Sequence, residues 1–170
     1  DSDDGEEQLT WGQTAALVNR IAGQLQAEGL QKGQAVSILG TTTIRYALVY
    51  LGAIAAGGCA APLTTSATPR QLAAMMTDSG AGHLFIDHAK RAELADSGVA
   101  LPVLKHVMMD APDDSDGAPF LFDWMAEEGA TPHDVETGPN DPYNIIYSSG
   151  TTGTPKGIVH SRQMRWHQMA

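Results

Sequence analysis

The feature of this chain that most constrains its fold is an alternation of short apolar runs with segments whose apolar residues recur at helical spacing. The apolar runs lie at residues 35–39, 59–63 and 83–87, and the helical patterns begin at residues 11, 44 and 69. Such alternation is typical of βαβ crossovers, in which parallel strands form one sheet and helices cover both of its faces. The sequence therefore predicts an α/β fold with a layered, largely parallel sheet flanked by helices.

Two of the predicted helices carry boundary signals. Thr10 and Thr68 each stand three residues before a glutamine, which is the spacing of a capping box, and Pro69 occupies a first helical position. Gly29 and Gly80 stand where such helices end. In the second half of the chain we predict a strand at 105–109, a polar surface loop at 112–119, a short helix at 121–128 and a helix-like run at 162–170.

An apolar strand at 144–147 leads into a loop that combines hydroxyl groups, glycines and one lysine. The stretch 147–157 reads Tyr-Ser-Ser-Gly-Thr-Thr-Gly-Thr-Pro-Lys-Gly, and a second strand-like run follows at 157–160. Glycine lacks a Cβ, so the backbone can bend and approach a ligand closely. Hydroxyl groups and a lysine ammonium donate hydrogen bonds to phosphate oxygens. The composition therefore predicts a polyphosphate-binding loop.

Two other classes of loop fit this pattern poorly. A Walker P-loop needs four residues between its glycines and a Gly-Lys-Ser/Thr ending that opens a helix. Here two residues separate Gly150 from Gly153, and Lys156 lies between a proline and a strand. A serine hydrolase is disfavoured because the positions two residues on either side of Ser149 are not glycine, as a nucleophile elbow requires.

The loop resembles the phosphate-binding signature of the adenylate-forming, or AMP-binding, enzymes, which include acyl-CoA synthetases, adenylation domains of peptide synthetases and luciferases. The family's usual form is Tyr-Thr-Ser-Gly-Thr-Thr-Gly-x-Pro-Lys-Gly, and Ser148 replaces the first threonine while keeping a hydroxyl. The upstream order is also similar, with a Lys-Gly turn at Lys32, a helix ending in Ala-Gly-Gly and a Thr-Pro-capped helix. Residues 1–170 thus resemble the N-terminal part of an acyl-CoA synthetase large domain.

The resemblance implies a two-step ligase that uses ATP, Mg²⁺ and coenzyme A to convert a carboxylic acid into an acyl-adenylate and then into a thioester. It implies a structural role for Tyr147, while His160 and Arg162 are interpreted as a strand-end histidine and a solvated arginine. The residues expected to bind the β- and γ-phosphates of ATP are Ser148, Ser149, Gly150, Thr151, Thr152, Gly153, Thr154 and Lys156.

The resemblance also implies that the catalytic parts of the enzyme lie elsewhere. In the family, the adenosine-site motif, the ribose-binding aspartate, the hinge, the small C-terminal domain and the catalytic lysine all follow the phosphate loop. The chain starts without methionine and ends in the uncapped run 162–170. We therefore expect a fragment that is inactive alone and whose main partner is the missing C-terminal portion of its own protein.

Two alternatives remain open at this point. One is a truncated nucleotide-binding module without turnover, and the other is an adenylation domain that loads a carrier protein instead of coenzyme A. The sequence does not name the acid; a fatty or an aryl acid is the expectation from the family.

The charge and composition of the chain bear on which classes of ligand and compartment fit it. The net charge is −10, and no basic stripe is present, so nucleic-acid binding is disfavoured. After Tyr143, however, the only fixed charges within the chain are Lys156, Arg162 and Arg165, which suits an anionic ligand. The single cysteine, Cys59, lies in an apolar run and favours a buried role in a reducing, cytoplasmic compartment.

Membrane and metal functions are likewise not indicated. The longest apolar run, at residues 47–63, is short and glycine-containing, so we expect no membrane span. The pairs His83 with His88 and His160 with His167 lack a thiol or carboxylate that would complete a zinc site.

Overall fold

The computed structural model describes residues 8–102, 105–112, 117–148 and 155–169. Helices and strands alternate through most of this part of the chain. In chain order they are α1 (Trp11–Ala27), β1 (Ala35–Leu39), α2 (Ile44–Ala55), β2 (Cys59–Pro62), α3 (Pro69–Ser79), β3 (His83–Ile86), α4 (His88–Ser97), β4 (Lys105–Met108), α5 (Leu121–Trp124), β5 (Pro142–Ser148), β6 (Lys156–Ser161) and α6 (Arg162–Met169).

The six strands form one sheet in the order β4-β3-β1-β2-β5-β6. Neighbouring strands from β4 to β5 are parallel, whereas β6 runs antiparallel to β5. The central register places Ser37 of β1 beside Ala61 of β2 and Leu84 of β3. The predicted largely parallel α/β sheet is confirmed, and the terminal hairpin is its antiparallel exception.

Helices cover both faces of the sheet. On one face, buried residues of α1, α2 and α5 pack with Phe85, whose ring meets that of Trp124 edge-on at a centroid distance of 5.1 Å. On the other face, Leu72 and Met76 of α3 and Leu94 of α4 pack against β1 and β3. Since side chains of a strand alternate between faces, each central strand contributes to both cores.

The predicted helix ends are present. In α1, Gln13 N donates to Thr10 Oγ1 at 3.3 Å, and Thr10 N donates back to Gln13 Oε1 at 2.8 Å. Thr68 forms the same reciprocal capping box in α3. Gly80 ends α3 in the left-handed conformation, with a φ of 64°. Both boxes connect residues three apart, which explains why the sequence alone could identify them.

Two helices differ from the sequence-based predictions: α4 was not predicted, and α5 is shorter than predicted. Asp87, predicted to end a strand, instead caps α4, because its Oδ1 accepts a hydrogen bond from Lys90 N at 3.0 Å. Helix α4 buries only Leu94, so its sequence shows no helical periodicity. The helix predicted at 121–128 ends at Trp124, where the next residue is extended. Part of the predicted loop at 112–119 lies outside the described residues.

Cys59 is buried in β2, as predicted, and burial raises the pKa of its thiol to about 11. The reactive thiolate is therefore disfavoured. No helix in the described part of the chain is long and apolar enough to cross a membrane. The same residues contain no group of three histidine, cysteine, aspartate or glutamate side chains that could hold a metal ion.

Glu28, at the end of α1, connects four elements at the edge of the sheet where β3 and β4 begin. Its carboxylate accepts hydrogen bonds from Trp124 Nε1 at 2.9 Å and Gln24 Nε2 at 3.2 Å. It also contacts His83 Nε2 at 2.7 Å and Lys105 Nζ at 3.1 Å. Burial opposes ionisation, but these contacts together lower the pKa of Glu28 below its ordinary value. Ionised Glu28 therefore stabilises the fold.

We expect the free energy of unfolding to decrease on acidification below about pH 4.3, the pKa of glutamate in an unfolded chain. Because the folded-state pKa is lowered, this stabilisation is complete above that pH and is lost as the pH falls through the folded-state value. Denaturant titrations between pH 7 and pH 3 should show a shallower acid dependence for Glu28→Gln. Glu93→Gln, on the exposed face of α4, is the control, and identical profiles for Glu28→Gln and wild type would contradict the prediction.

Ser37 is a polar exception inside the sheet. It is fully buried in β1, and its hydroxyl has no hydrogen-bond partner among the described residues. An unpaired buried polar group costs about 1–3 kcal/mol, so Ser37→Ala should raise the free energy of unfolding by about 1 kcal/mol. Ser97→Ala is the control, since the Ser97 hydroxyl donates to Leu94 O at 2.6 Å and its loss should destabilise. A lower denaturation midpoint for Ser37→Ala would refute the prediction.

Candidate functional site

The loop singled out by the sequence analysis connects β5 to β6. Across this antiparallel pair, Tyr147 lies opposite Gly157, and Ser148 lies opposite Lys156. Ser148 and Lys156 are both exposed and mark the two ends of the loop. The other predicted site residues, Ser149, Gly150, Thr151, Thr152, Gly153 and Thr154, lie outside the described residues.

The loop emerges at the carboxyl edge of the parallel strands. β5 is parallel to β2, and β2 is parallel to β1, so the carboxyl ends of all three strands share one edge of the sheet. In open α/β sheets, ligands bind in crevices outside this edge. The position of the loop is therefore suited to ligand binding.

The side chain of Tyr147 connects β5 to α3. Its hydroxyl lies 2.8 Å from the carbonyl oxygen of Met75 and 3.0 Å from Oδ2 of Asp78, so its single proton is shared between these two acceptors. Burial, together with the carboxylate of Asp78, raises the pKa of Tyr147, so the phenol stays protonated at neutral pH. These contacts agree with the structural role that the sequence analysis gave to Tyr147.

Asp78 is a residue near the loop that the sequence analysis missed. From the sequence, the region after Tyr143 carries only positive fixed charges. The fold brings the Asp78 carboxylate of α3 to Tyr147 near the end of β5, although Asp78 and Tyr147 are 69 residues apart. No local pattern could have revealed this contact, since Asp78 occupies an exposed helical position of ordinary polarity.

On the opposite face of β5, a polar group surrounds the buried side chain of Asn144. Its Oδ1 accepts from Arg165 Nε at 3.2 Å and from His160 Nδ1 at 3.3 Å. Arg162 is half-buried rather than solvated as predicted, and its Nη2 donates to Ile54 O at 3.4 Å. These bonds connect α6 and β6 to β5 and α2, whereas the buried Nε of Arg162 has no hydrogen-bond partner among the described residues.

Two cavities adjoin the hairpin, with volumes of about 430 Å³ on the α2 side and about 340 Å³ on the α3 side. The larger cavity combines aromatic rings with a guanidinium group, and the smaller one is rich in hydroxyl groups. Lining residues of the larger cavity are Tyr46, Tyr50, Pro62, Leu63, Thr64, Asn144, Ile146, Tyr147 and Arg165. Those of the smaller cavity are Thr64, Ser66, Ala67, Gln71, Met75, Tyr147 and Pro155.

Comparison with known proteins identifies a family and several similar proteins. A family model described as AMP-binding enzyme matches residues 2–169. The long-chain-fatty-acid–CoA ligase FadD13 of Mycobacterium tuberculosis is 32% identical over 158 residues, covering 91% of this chain and 30% of that protein. The 3-hydroxybenzoate–CoA ligase of Aromatoleum sp. is 32% identical over 166 residues, with coverages of 92% and 30%. The chain therefore spans about 30% of the length of these relatives.

Solved structures show the same architecture. The inhibitor-bound N-terminal domain of FACL13 from Mycobacterium tuberculosis superposes with a TM-score of 0.76 at 29% identity, covering 91% of this chain and 37% of that one. The anthranilate CoA ligase AuaEII in complex with anthranoyl-AMP superposes with a TM-score of 0.84, covering 94% of this chain and 31% of that one. At 23% identity, the second likeness shows the fold alone.

Proposed function

This chain belongs to the AMP-binding enzyme family, and from that membership we propose that its parent protein activates a carboxylic acid with ATP. In the first step, a carboxylate oxygen attacks the α-phosphorus, which forms an acyl-adenylate and releases pyrophosphate. In the second step, the thiol of coenzyme A attacks the acyl carbon and displaces AMP. The relatives that are acid–CoA ligases support this class of reaction.

We propose that residues 148–156 hold the β- and γ-phosphates of ATP. The observation that carries this proposal is the pairing of Ser148 with Lys156 at the mouth of a hairpin on the carboxyl edge of the sheet. Lys156 offers a compact cation and Ser148 a hydroxyl, and such donors bind phosphate oxygens through charge-assisted hydrogen bonds. The hydroxyls and backbone of the intervening residues would supply the remaining donors.

The contribution of this segment is positional and electrostatic. Reactions at phosphorus require little covalent catalysis by side chains, so donors that neutralise charge on the departing pyrophosphate lower the activation barrier. Mg²⁺ bound together with ATP would supply further neutralisation. We assign no catalytic residue to this chain; the catalytic lysine of the family belongs to the part of the protein that follows the loop.

The relatives also indicate candidates for the substrate acid and for the acceptor of the acyl group. The similar relatives include ligases for long-chain fatty acids and for 3-hydroxybenzoate, so we propose a fatty or an aryl acid as the substrate. Gramicidin S synthase 2 of Brevibacillus brevis is 29% identical over 160 residues, covering 94% of this chain and 3% of that protein. A carrier protein is the alternative acceptor that we propose, and the single buried cysteine supports a cytoplasmic setting.

The test is an acid-dependent ATP–pyrophosphate exchange assay on the complete parent enzyme, with fatty and aryl acids in turn. We expect exchange with at least one acid, followed by thioester formation with either coenzyme A or a phosphopantetheinylated carrier. ATP binding without exchange for any acid would instead favour a nucleotide-binding module without turnover. Residues 1–170 alone should show no exchange, because they lack the regions expected to bind adenosine and to catalyse the reaction.

A further inference from the structure

The side chains next to the proposed phosphate loop form an anchor that lies outside the loop itself. We propose that Tyr147, Asp78 and Gly157, here termed the Tyr147 clamp, position Ser148 and Lys156 for phosphate binding. This inference rests on the proposed function for its catalytic consequence, but its physical content concerns the hairpin alone. Tyr147 is thus assigned a positioning role.

The register of the hairpin places the clamp beside the two ends of the loop. Tyr147 and Gly157 form the cross-strand pair that directly precedes the pair of Ser148 and Lys156. Successive residues of a strand are about 3.3 Å apart, so a displacement of the clamp moves both ends of the loop.

The clamp also connects the hairpin to a rigid element. The Tyr147 hydroxyl bonds to Met75 O and to Asp78 Oδ2, both in the last turns of α3. The inner face of α3 is held in the core by buried Met75 and Met76. The hydroxyl therefore holds the end of β5 in place against a packed helix.

Gly157, which lies opposite Tyr147, provides space for the clamp. A Cβ on Gly157 would lie 3.0 Å from Cε1 of Tyr147 and 2.9 Å from Oδ2 of Asp78. Contacts this short require the ring or the carboxylate to move. Gly157 is not among the glycines with positive φ, so this position needs space and not an unusual backbone conformation. The absence of a side chain at Gly157 therefore leaves room for the ring and the carboxylate beside β6.

The clamp is tested with Tyr147→Phe in the complete parent enzyme, which removes one hydroxyl and keeps the ring. Loss of one hydrogen bond should raise the KM for ATP in pyrophosphate exchange about fivefold and leave kcat within about twofold. Amide hydrogen exchange in peptides covering 142–148 and 156–161 should become faster. Gly157→Ala should act in the same direction.

Tyr143→Phe is the matched control, because Tyr143 lies in the same strand and its ring packs edge-on against that of Tyr50 in α2. An unchanged KM for ATP in Tyr147→Phe would overturn the proposal, even if the melting temperature fell, because the role would then be structural only. Wild-type enzyme without exchange would refute the proposed function instead. Hydrogen exchange then decides on the clamp alone: faster exchange in Tyr147→Phe than in Tyr143→Phe supports it, and equal exchange overturns it.

Discussion

Lys156→Ala in the complete parent enzyme should lower kcat/KM for acyl-adenylate formation by about 10- to 100-fold. Lys156 is exposed at the end of the loop, opposite Ser148, and is the cation that the proposed site presents to the phosphates of ATP. A hydrogen bond to a charged group contributes about 1.5–3 kcal/mol, and each 1.4 kcal/mol changes a rate tenfold. Initial rates of pyrophosphate release at varied ATP concentration measure the effect.

Two further variants separate the role of Lys156 from a general loss of charge. Lys156→Arg keeps the charge but replaces the compact ammonium by a planar group, so it should recover only part of the rate. Lys105→Ala removes a cation at the opposite edge of the sheet, where it contacts Glu28, and should leave the rate unchanged. Wild-type rates of pyrophosphate release in Lys156→Ala would show that the ammonium does not bind the phosphates.

Phe85→Ala should lower the free energy of unfolding by about 3–5 kcal/mol, which is the usual range for a buried phenylalanine. Phe85 is fully buried in β3, where its ring meets Trp124 edge-on. Alanine would remove apolar surface from the core and leave a cavity that the central strands cannot close, because they are held on both sides by backbone hydrogen bonds. Denaturant unfolding followed by tryptophan fluorescence measures the loss.

A second phenylalanine provides the comparison. Phe122 is half-buried at the edge of the same core, with the Arg45 guanidinium 5.6 Å from its ring centroid, so Phe122→Ala should destabilise much less than Phe85→Ala. Phe85→Leu should fall between Phe85→Ala and wild type, since it refills part of the space. A loss below about 1 kcal/mol for Phe85→Ala would mean that the packing of α1, α2 and α5 on the sheet does not depend on this side chain.

Much of the fold was accessible from the sequence because its signals are local. The capping boxes at Thr10 and Thr68 join residues three apart, and the burial patterns of α1 and α2 repeat at helical spacing. Helix α4 was not predicted because only one of its residues, Leu94, is buried against the sheet. Its cap at Asp87 was the main signal in the sequence. Sequence patterns reveal a helix well only where several of its residues face the core.

The strand order required the tertiary structure. The order reverses at β1, which lies between β2 and β3, and α/β sheets usually bind ligands at such a switch point. There, Asp87 accepts from Thr41 N at 2.8 Å and also caps α4, so its carboxylate is engaged in holding the fold. The predicted phosphate loop instead follows β5, two positions away from β1 in the sheet.

The chemistry of the candidate site could be predicted from the sequence: glycines, hydroxyl groups and Lys156 between two strands. Those residues are neighbours in the chain, so spacing and composition carry the information. The contacts of Asp78 and Met75 of α3 with Tyr147, and those of Arg165 and His160 with Asn144, became visible in the folded molecule. These contacts depend on how α3 and α6 pack against the sheet, and packing of distant segments leaves no periodic signal in the sequence.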